Sequence, residues 1–170
     1  SVAELGTGLY FARSRDGAVR FAGGWGARLG DEASGFWLGR EALRATLEAV
    51  DGLRPVSDLT ADVLARMGGS PAGIVAFANS QPPREVAALA PLVIAGCAAG
   101  DPAGRDILLR GAAHVMRMAA ALEHVPGTPL CLTGGLAEAY APLIAGPLRD
   151  DLTPPAASAL EGALDMVQPA

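Results

Sequence analysis

The sequence contains no lysine, and all 13 basic residues are arginine. This excludes Schiff-base chemistry on a lysine and the lysine of a nucleotide-binding P-loop. The two cysteines, Cys97 and Cys131, are isolated in apolar surroundings, which favours buried, reduced thiols over a disulfide. The two histidines, His114 and His124, have no metal-ligand spacing with either cysteine, so no zinc site is expected.

Positive charge and long apolar runs are also scarce. The formal net charge is −5, whereas a nucleic-acid partner would require a basic face, so we expect no nucleic-acid binding. The sequence has no uncharged apolar stretch of about 18 or more residues, which is the length that predicts a membrane span. We therefore expect no membrane partner and a cytoplasmic protein.

What the sequence does contain is typical of one α/β domain. The 170 residues are 51% hydrophobic, enough to bury a core without disulfides, and the 22 glycines and 13 prolines predict many turns. A β-hairpin is predicted around Asp16-Gly17, a strong turn signal, and a buried strand over residues 130–133. Hydrophobic periodicity predicts helices over residues 31–50, 60–67, 84–99, 102–122, 136–144 and from Pro154 onward, and leaves 71–81 open between strand and helix.

Three glycine-rich segments are candidate binding sites. The first is Gly6-Thr7-Gly8, at the bend after an opening strand. Glycines at a bend allow backbone N–H groups to point at a phosphate, and the threonine hydroxyl adds a donor. A plain turn is the alternative interpretation.

The second segment combines an indole with a carboxylate. Trp25 lies among glycines, in Gly23-Gly24-Trp25-Gly26, and Asp31 follows shortly after. An aromatic face covers the C–H face of a sugar while a carboxylate accepts its hydroxyl hydrogens. The alternative is a tryptophan that anchors a loop and an aspartate that only caps a helix.

The third segment, Thr133-Gly134-Gly135, follows a predicted strand. Open α/β sheets bind ligands at the carboxyl ends of strands, and paired glycines let a flat ring approach the backbone. A tight strand-to-helix turn explains the glycines equally well. The segment lacks the Gly-x-Gly-x-x-Gly pattern, so a dinucleotide fold has no support.

Taken in order, these segments resemble one family. GTG after an opening strand, then GGWGARLGDEASGFWLGREAL, FAN and LCLTGGLAEAY resemble the BadF/BadG/BcrA/BcrD ATPase family, and within it the N-acetylglucosamine and glucosamine kinases. The resemblance covers residue 1 to about 167 and implies the second, C-terminal domain of the actin-like, sugar-kinase and Hsp70 ATPase fold, a small mixed sheet with an N-terminal hairpin covered by several helices. The family's first phosphate loop and catalytic aspartate have no match, so we expect residues 1–170 to be the C-terminal portion of a kinase.

The resemblance also implies roles for individual residues. Thr7 and Gly8 match the family's second phosphate loop, where Leu9 replaces the usual serine and removes one hydroxyl. Three positions match the amino-sugar site: Gly24, Trp25 and Asp31. Three match the surroundings of the adenosine: Ala78, Gly134 and Gly135. The resemblance assigns no catalytic residue and no metal ligand to this part of the protein.

The function that the resemblance implies is transfer of a phosphoryl group from ATP, with Mg²⁺, to an amino sugar. Glucosamine and N-acetylglucosamine both remain candidates, as does each of their hydroxyls, and we expect the isolated chain to be inactive. A homodimer is compatible with the family. The alternatives are a non-catalytic sugar- or nucleotide-binding module and a BadF-type activator ATPase, which would need cysteines for an iron–sulfur cluster.

Overall fold

The computed structural model describes residues 1–157, which form a four-stranded mixed sheet covered by helices. The strands are β1 (Val2–Leu5), β2 (Leu9–Arg15), β3 (Ala18–Gly23) and β4 (Cys131–Thr133), in the order β3-β2-β1-β4. Strands β1, β2 and β3 pair antiparallel in sequence order, and β4 runs parallel to β1. The final predicted helix, with Leu160, Leu164 and Val167, lies outside the described residues.

The predicted hairpin and the predicted strand at 130–133 are confirmed. Asp16 and Gly17 form the two-residue loop between β2 and β3, with φ of 51° and 79°. Two positive φ angles match the right-handed twist of the strands, which is why Asp-Gly is favoured there.

The two faces of the sheet differ sharply. Side chains alternate along a strand, so Leu5 and Phe11 point to one face, where both are fully buried against the helices. The opposite face carries Glu4 and its cross-strand neighbour Tyr10, and continues to Phe21 on the edge strand, which is 70% exposed. Within residues 1–157, this second face of the sheet is therefore open.

Eight α-helices fill the rest of the described chain. They are α1 (Gly35–Val50), α2 (Asp58–Arg66), α3 (Pro71–Ser80), α4 (Pro83–Ala87), α5 (Ala90–Ala98), α6 (Pro102–Ala121), α7 (Ala137–Tyr140) and α8 (Pro147–Asp150), with a 3₁₀ turn at Ala141–Leu143. The segment left open between strand and helix is thus the helix α3. The single helix predicted over 84–99 is wrong, since α4 and α5 are separate. Pro91 explains the break, because proline is tolerated in the first turn of a helix and not in its interior.

Helix α1 begins four residues later than predicted. Ser34 is its N-cap, and the Ser34 Oγ accepts a hydrogen bond from the Trp37 N–H at 3.2 Å. Asp31 and Ala33 have φ of 63° and 74°, values outside the right-handed helix. Asp31 therefore belongs to a strained turn before the helix, not to its first turn.

No single helix among the described residues is long and apolar enough to cross a membrane. One pair of segments reaches the required length and apolar composition only when the two are taken together, Pro83–Ala98 and Pro102–Ala121, and the pair is bent by 109°. Both cysteines are free and half-buried, Cys97 on α5 and Cys131 on β4.

Asp101 fixes the start of α6. Its carboxylate accepts hydrogen bonds from the N–H groups of Ala103 at 2.8 Å and Gly104 at 2.9 Å, and from the Leu59 N–H at 3.0 Å. Burial by itself would raise the pKa of Asp101, but these bonds and one from the Ser57 hydroxyl outweigh burial, so the pKa lies below its ordinary value. One side chain thereby caps α6 and ties it to α2.

Replacing Asp101 with alanine should lower the free energy of unfolding by about 2 kcal/mol at pH 7, because an N-cap and a buried acceptor are lost together. The folded pKa is depressed, so this stabilisation is present above the unfolded pKa of about 3.9 and disappears as the pH falls through the folded value. Denaturant unfolding at pH 7 and pH 3 should show the deficit at pH 7 and a smaller one at pH 3. The matched control, Asp150→Ala on the exposed side of α8, should change stability by less than about 0.5 kcal/mol. A deficit that is equal at both pH values would contradict the role of the ionised carboxylate.

Candidate functional site

The bend between β1 and β2, residues 6–8, is anchored on the start of α1. The Gly35 N–H donates to the Gly6 carbonyl at 2.8 Å, and the Phe36 N–H donates to the Thr7 carbonyl at 3.3 Å. In a trans peptide the C=O and the following N–H point in opposite directions, and the described chain has no cis peptide. The N–H groups of Thr7 and Gly8 therefore point away from α1.

These two N–H groups are available to a ligand. Among residues 1–157, neither donates to a protein acceptor. Two adjacent backbone N–H groups without a protein acceptor, with the exposed hydroxyl-bearing residue Thr7 between two glycines, are the kind of donors that a backbone anion site uses. Leu9, the next residue, adds no donor there, because its side chain is buried in the core.

The Asp31 carboxylate lies directly beside this bend. Its Oδ1 accepts a hydrogen bond from the Leu9 N–H at 3.4 Å, and its Oδ2 lies 3.0 Å from where a Cβ on Gly8 would stand. Asp31 is only 8% exposed, although its backbone adopts the strained turn described above. The structure thus brings together Thr7, Gly8 and Asp31, which the sequence placed in two separate segments.

These residues enclose a small cleft of about 360 Å³. It is lined by the bend and by the turn that approaches it: Glu4, Gly6, Thr7, Gly8, Leu9, Tyr10, Gly24, Gly26 and Asp31. The cleft contains the backbone donors of the bend together with two carboxylates, those of Glu4 and Asp31. An anion would need such donors, and a group that carries hydroxyls would need such acceptors.

The predicted site residue Trp25 is not among the residues that line this cleft, although both of its neighbours are. Its neighbours Gly24 and Gly26 line the cleft, and the Gly24 N–H donates to the Leu9 carbonyl at 2.9 Å, which holds the loop against β2. The indole is 74% exposed. A tryptophan that served only to anchor the loop in the core would be buried, so this ring is open to a ligand.

A second cleft, of about 980 Å³, lies on the open face of the sheet along β1 and β4, and extends past the carboxyl end of β4 to Gly134. Thr133, Gly134 and Glu138 line it, together with the segment 152–157. Its volume lies within the range of about 300–1,000 Å³ typical of small-molecule and cofactor sites. Glu4 and Tyr10 line both clefts, so the two are adjacent.

Gly134 cannot carry a side chain in this structure. Its φ is 86°, and a Cβ there would come 2.5 Å from the Leu5 carbonyl oxygen. Gly135 is exposed, has open space where a Cβ would stand, and does not line the cleft. Ala78 is exposed on α3 and lines neither cleft, so the structure does not bring it together with Gly134.

Glu4 and Tyr10 were not predicted as site residues from the sequence. Glu4 is the one charged residue of the strand Val2–Leu5, and it lies two residues before Gly6. A carboxylate at the carboxyl end of a strand, next to a glycine bend, is the signal that could have found it.

The region around Glu32 shows no sign of a metal centre. The His114 Nε2 on α6 lies 3.9 Å from the Glu32 Oε2. Burial lowers the pKa of His114 more than the nearby Glu32 carboxylate raises it, so the ring is neutral at pH 7. Across residues 1–157, no three side chains of His, Cys, Asp or Glu come together to hold a metal ion.

Comparison with known proteins assigns the class. The sequence profile of the BadF/BadG/BcrA/BcrD ATPase family matches residues 5–150, and the chain belongs to that family. Its mixed α/β architecture is that of the actin-like ATPase fold. The resemblance stated from the sequence and the predicted fold class are both confirmed.

Among individual relatives, the glucosamine kinase GspK of Vibrio cholerae is 28% identical over 159 residues, 94% of this chain and 54% of that protein. A structure described as an N-acetylglucosamine kinase from Chromobacterium violaceum superposes with a TM-score of 0.89 at 36% identity, over 98% of this chain and 59% of that one. A second, from Porphyromonas gingivalis, has a TM-score of 0.73 at 23% identity, which shows the shared fold. The chain therefore spans a little more than half the length of these relatives.

Proposed function

We propose that this chain is the C-terminal portion of an ATP-dependent amino-sugar kinase. The observation that carries the proposal is the position of the Asp31 carboxylate, beside the two unpaired N–H groups of the Thr7-Gly8 bend. A phosphoryl acceptor must lie next to the phosphate that it attacks. A hydroxyl-binding carboxylate and a phosphate-binding bend in one small cleft are consistent with that requirement.

The nucleotide would extend across both clefts. The adenosine would lie in the larger cleft against Gly134, where the missing side chain lets a flat ring approach the backbone. The phosphates would reach the N–H groups of Thr7 and Gly8. The adjacency of the two clefts at Glu4 and Tyr10 supports such a path.

The residues present suit a nucleotide that carries Mg²⁺. The donors of the bend are neutral N–H groups, and the carboxylates of Glu4 and Asp31 line the same cleft. A polyphosphate beside two carboxylates requires a cation, and Mg²⁺ neutralises the charge that develops during phosphoryl transfer. The hydroxyl of Thr7 and the backbone of Gly8 would hold the phosphates of the metal-bound nucleotide.

The sugar would bind between the exposed indole and Asp31. Trp25 would cover the C–H face of the ring, and the Asp31 carboxylate would accept hydrogen bonds from its hydroxyls. Asp31 holds the sugar in this proposal and does not remove the proton. The proton-accepting base and the first phosphate loop would belong to a preceding domain, so residues 1–170 alone would not catalyse the reaction. We also propose that the protein forms a homodimer and is located in the cytoplasm.

Product analysis of the whole protein tests this function. Incubation with ATP, Mg²⁺ and either glucosamine or N-acetylglucosamine should yield sugar phosphate and ADP in equal amounts by mass spectrometry. Residues 1–170 expressed alone should yield neither product. ADP without sugar phosphate would favour the activator ATPase, and binding of both ligands without turnover would favour a non-catalytic module.

A further inference from the structure

Glu4 lies between the two glycine turns of the site. Its Oε1 is 2.6 Å from where a Cβ on Gly134 would stand and 3.6 Å from the corresponding position on Gly6. Because it lines both clefts, any ligand that extends from one to the other passes this carboxylate. The resemblance stated from the sequence assigns it no role.

One oxygen of this carboxylate is fixed and the other is free. The Glu4 Oε2 accepts a hydrogen bond from the Thr133 hydroxyl on the neighbouring strand β4. In the part of the chain that the structure describes, Oε1 accepts no hydrogen bond, and no arginine forms an ion pair with Glu4. Thr133 therefore orients a negative charge that no protein cation neutralises.

We propose that Glu4 makes nucleotide binding depend on Mg²⁺, its Oε1 contacting the metal of the bound Mg–nucleotide directly or through a coordinated water. This inference rests on the proposed function. A fixed carboxylate repels the phosphates of metal-free ATP. Mg²⁺ is commonly held by one or two carboxylates together with substrate phosphates and several waters. The hydrogen bond from Thr133 would orient the carboxylate, as residues behind a metal ligand commonly do.

The other carboxylates of the clefts are placed differently. Asp31 already accepts the Leu9 N–H, and its carboxylate lies by Gly8 and lines the smaller cleft but not the larger one. Glu138 lines the larger cleft but is exposed on α7. Glu138 therefore serves as the matched control, since it has the same charge in the same cleft without the position between the two turns.

A purely structural role is the competing explanation, in which Glu4 only links β1 to β4 through Thr133. Glu4→Gln separates the two roles, because the amide oxygen still accepts the Thr133 hydrogen bond while the charge is lost. Glu4→Asp is the complementary change, because it keeps the charge on a shorter side chain.

The test is calorimetric titration of the whole protein with ATP, in excess Mg²⁺ and in EDTA. For the unchanged protein we expect Mg²⁺ to tighten ATP binding by about tenfold or more, as one neutralised charge pair in a partly buried site would. In Glu4→Gln this gain should fall to about twofold, and binding in EDTA should be as tight as in the unchanged protein or tighter. Glu138→Gln and Glu4→Asp should both keep most of the gain.

Three results would overturn the inference. One is a Glu4→Gln protein that loses affinity equally with and without Mg²⁺, which indicates a structural role. Another is an equal loss of the Mg²⁺ gain in Glu138→Gln, which indicates a general charge effect. The third applies if Glu4→Gln does not fold. Loss of the Mg²⁺-dependent increase in ATP affinity in Glu4→Asp, which keeps the charge, would then contradict the inference. If the unchanged protein does not bind ATP at all, the result would contradict the proposed kinase function itself and not only the role of Glu4.

Discussion

The Asp31→Asn protein is expected to bind its amino sugar about 10- to 100-fold more weakly, whereas its affinity for ATP in excess Mg²⁺ should change much less, by about fivefold at most. The change replaces a charged acceptor by a neutral one, and hydrogen bonds to charged groups contribute about 1.5–3 kcal/mol. Asparagine keeps an oxygen for the Leu9 N–H, so the bend at Thr7-Gly8 should keep its conformation. Calorimetric titration with sugar and with ATP measures the two affinities separately.

Asp51→Asn is the control for this change. Asp51 is an exposed aspartate at the C-cap of α1, so it has the same chemistry away from both clefts. Its sugar affinity should equal that of the unchanged protein. Unchanged sugar binding in Asp31→Asn, or an equal loss of sugar and ATP binding, would contradict the assignment of Asp31 to the sugar.

The second large effect is expected from Gly134→Ala. The alanine would adopt a φ near 86° and place its Cβ 2.5 Å from the Leu5 carbonyl and 2.6 Å from the Glu4 Oε1. Left-handed strain and a backbone clash together should lower the free energy of unfolding by about 2–4 kcal/mol. The turn must shift to relieve the clash, so ATP affinity should fall at least about tenfold, since the proposed adenosine site lies on this turn.

The adjacent Gly135→Ala gives a matched control. Nothing lies within 4 Å of a Cβ at Gly135, and its φ is not in the left-handed range. Its stability should change by less than about 0.5 kcal/mol. Denaturant unfolding measures the stability of both variants, and titration measures their ATP affinity. Equal losses of stability and affinity in the two variants would contradict the proposed role of the Gly134 turn.

Local signals explain the parts of the fold that the sequence predicted correctly. Asp16-Gly17 needs two positive φ angles, which Asp and Gly tolerate, and Asp101-Pro102 combines a capping carboxylate with a proline in the first turn. The strand at residues 131–133 is a short apolar run that ends at glycine. Each of these signals lies within a few residues of the feature that it specifies.

The start of α1 could not be predicted in this way. Asp31 and Glu32 have the composition of a first helical turn, yet Asp31 bonds to Leu9 in the hairpin, and the helix begins only after Ser34. That hydrogen bond joins residues distant in sequence and overrides the local preference. The same hydrogen bond brings the first and second predicted segments to one cleft. A local sequence pattern cannot show that two distant segments lie together.

A strand signal next to the glycine bend could have pointed to Glu4, but its contact with Thr133 could not be predicted from the sequence. Its significance depends on the parallel pairing of β1 with β4, which brings Thr133 and Gly134 to the end of the strand that carries it. Ala78 illustrates the opposite case. The resemblance places it near the adenosine, whereas α3 holds it away from both clefts, so its role stays a prediction.

If the chain binds a nucleotide as proposed, the N–H groups of Thr7 and Gly8 contact its phosphates. The most direct measurement is an NMR titration of the ¹⁵N-labelled whole protein with a non-hydrolysable ATP analogue and Mg²⁺. The account predicts that the Thr7 and Gly8 amide resonances shift as the analogue binds, while the amides of Gly52 and Gly69, outside both proposed ligand clefts, do not. Saturable binding of the analogue with the Thr7 and Gly8 amides unmoved would contradict it.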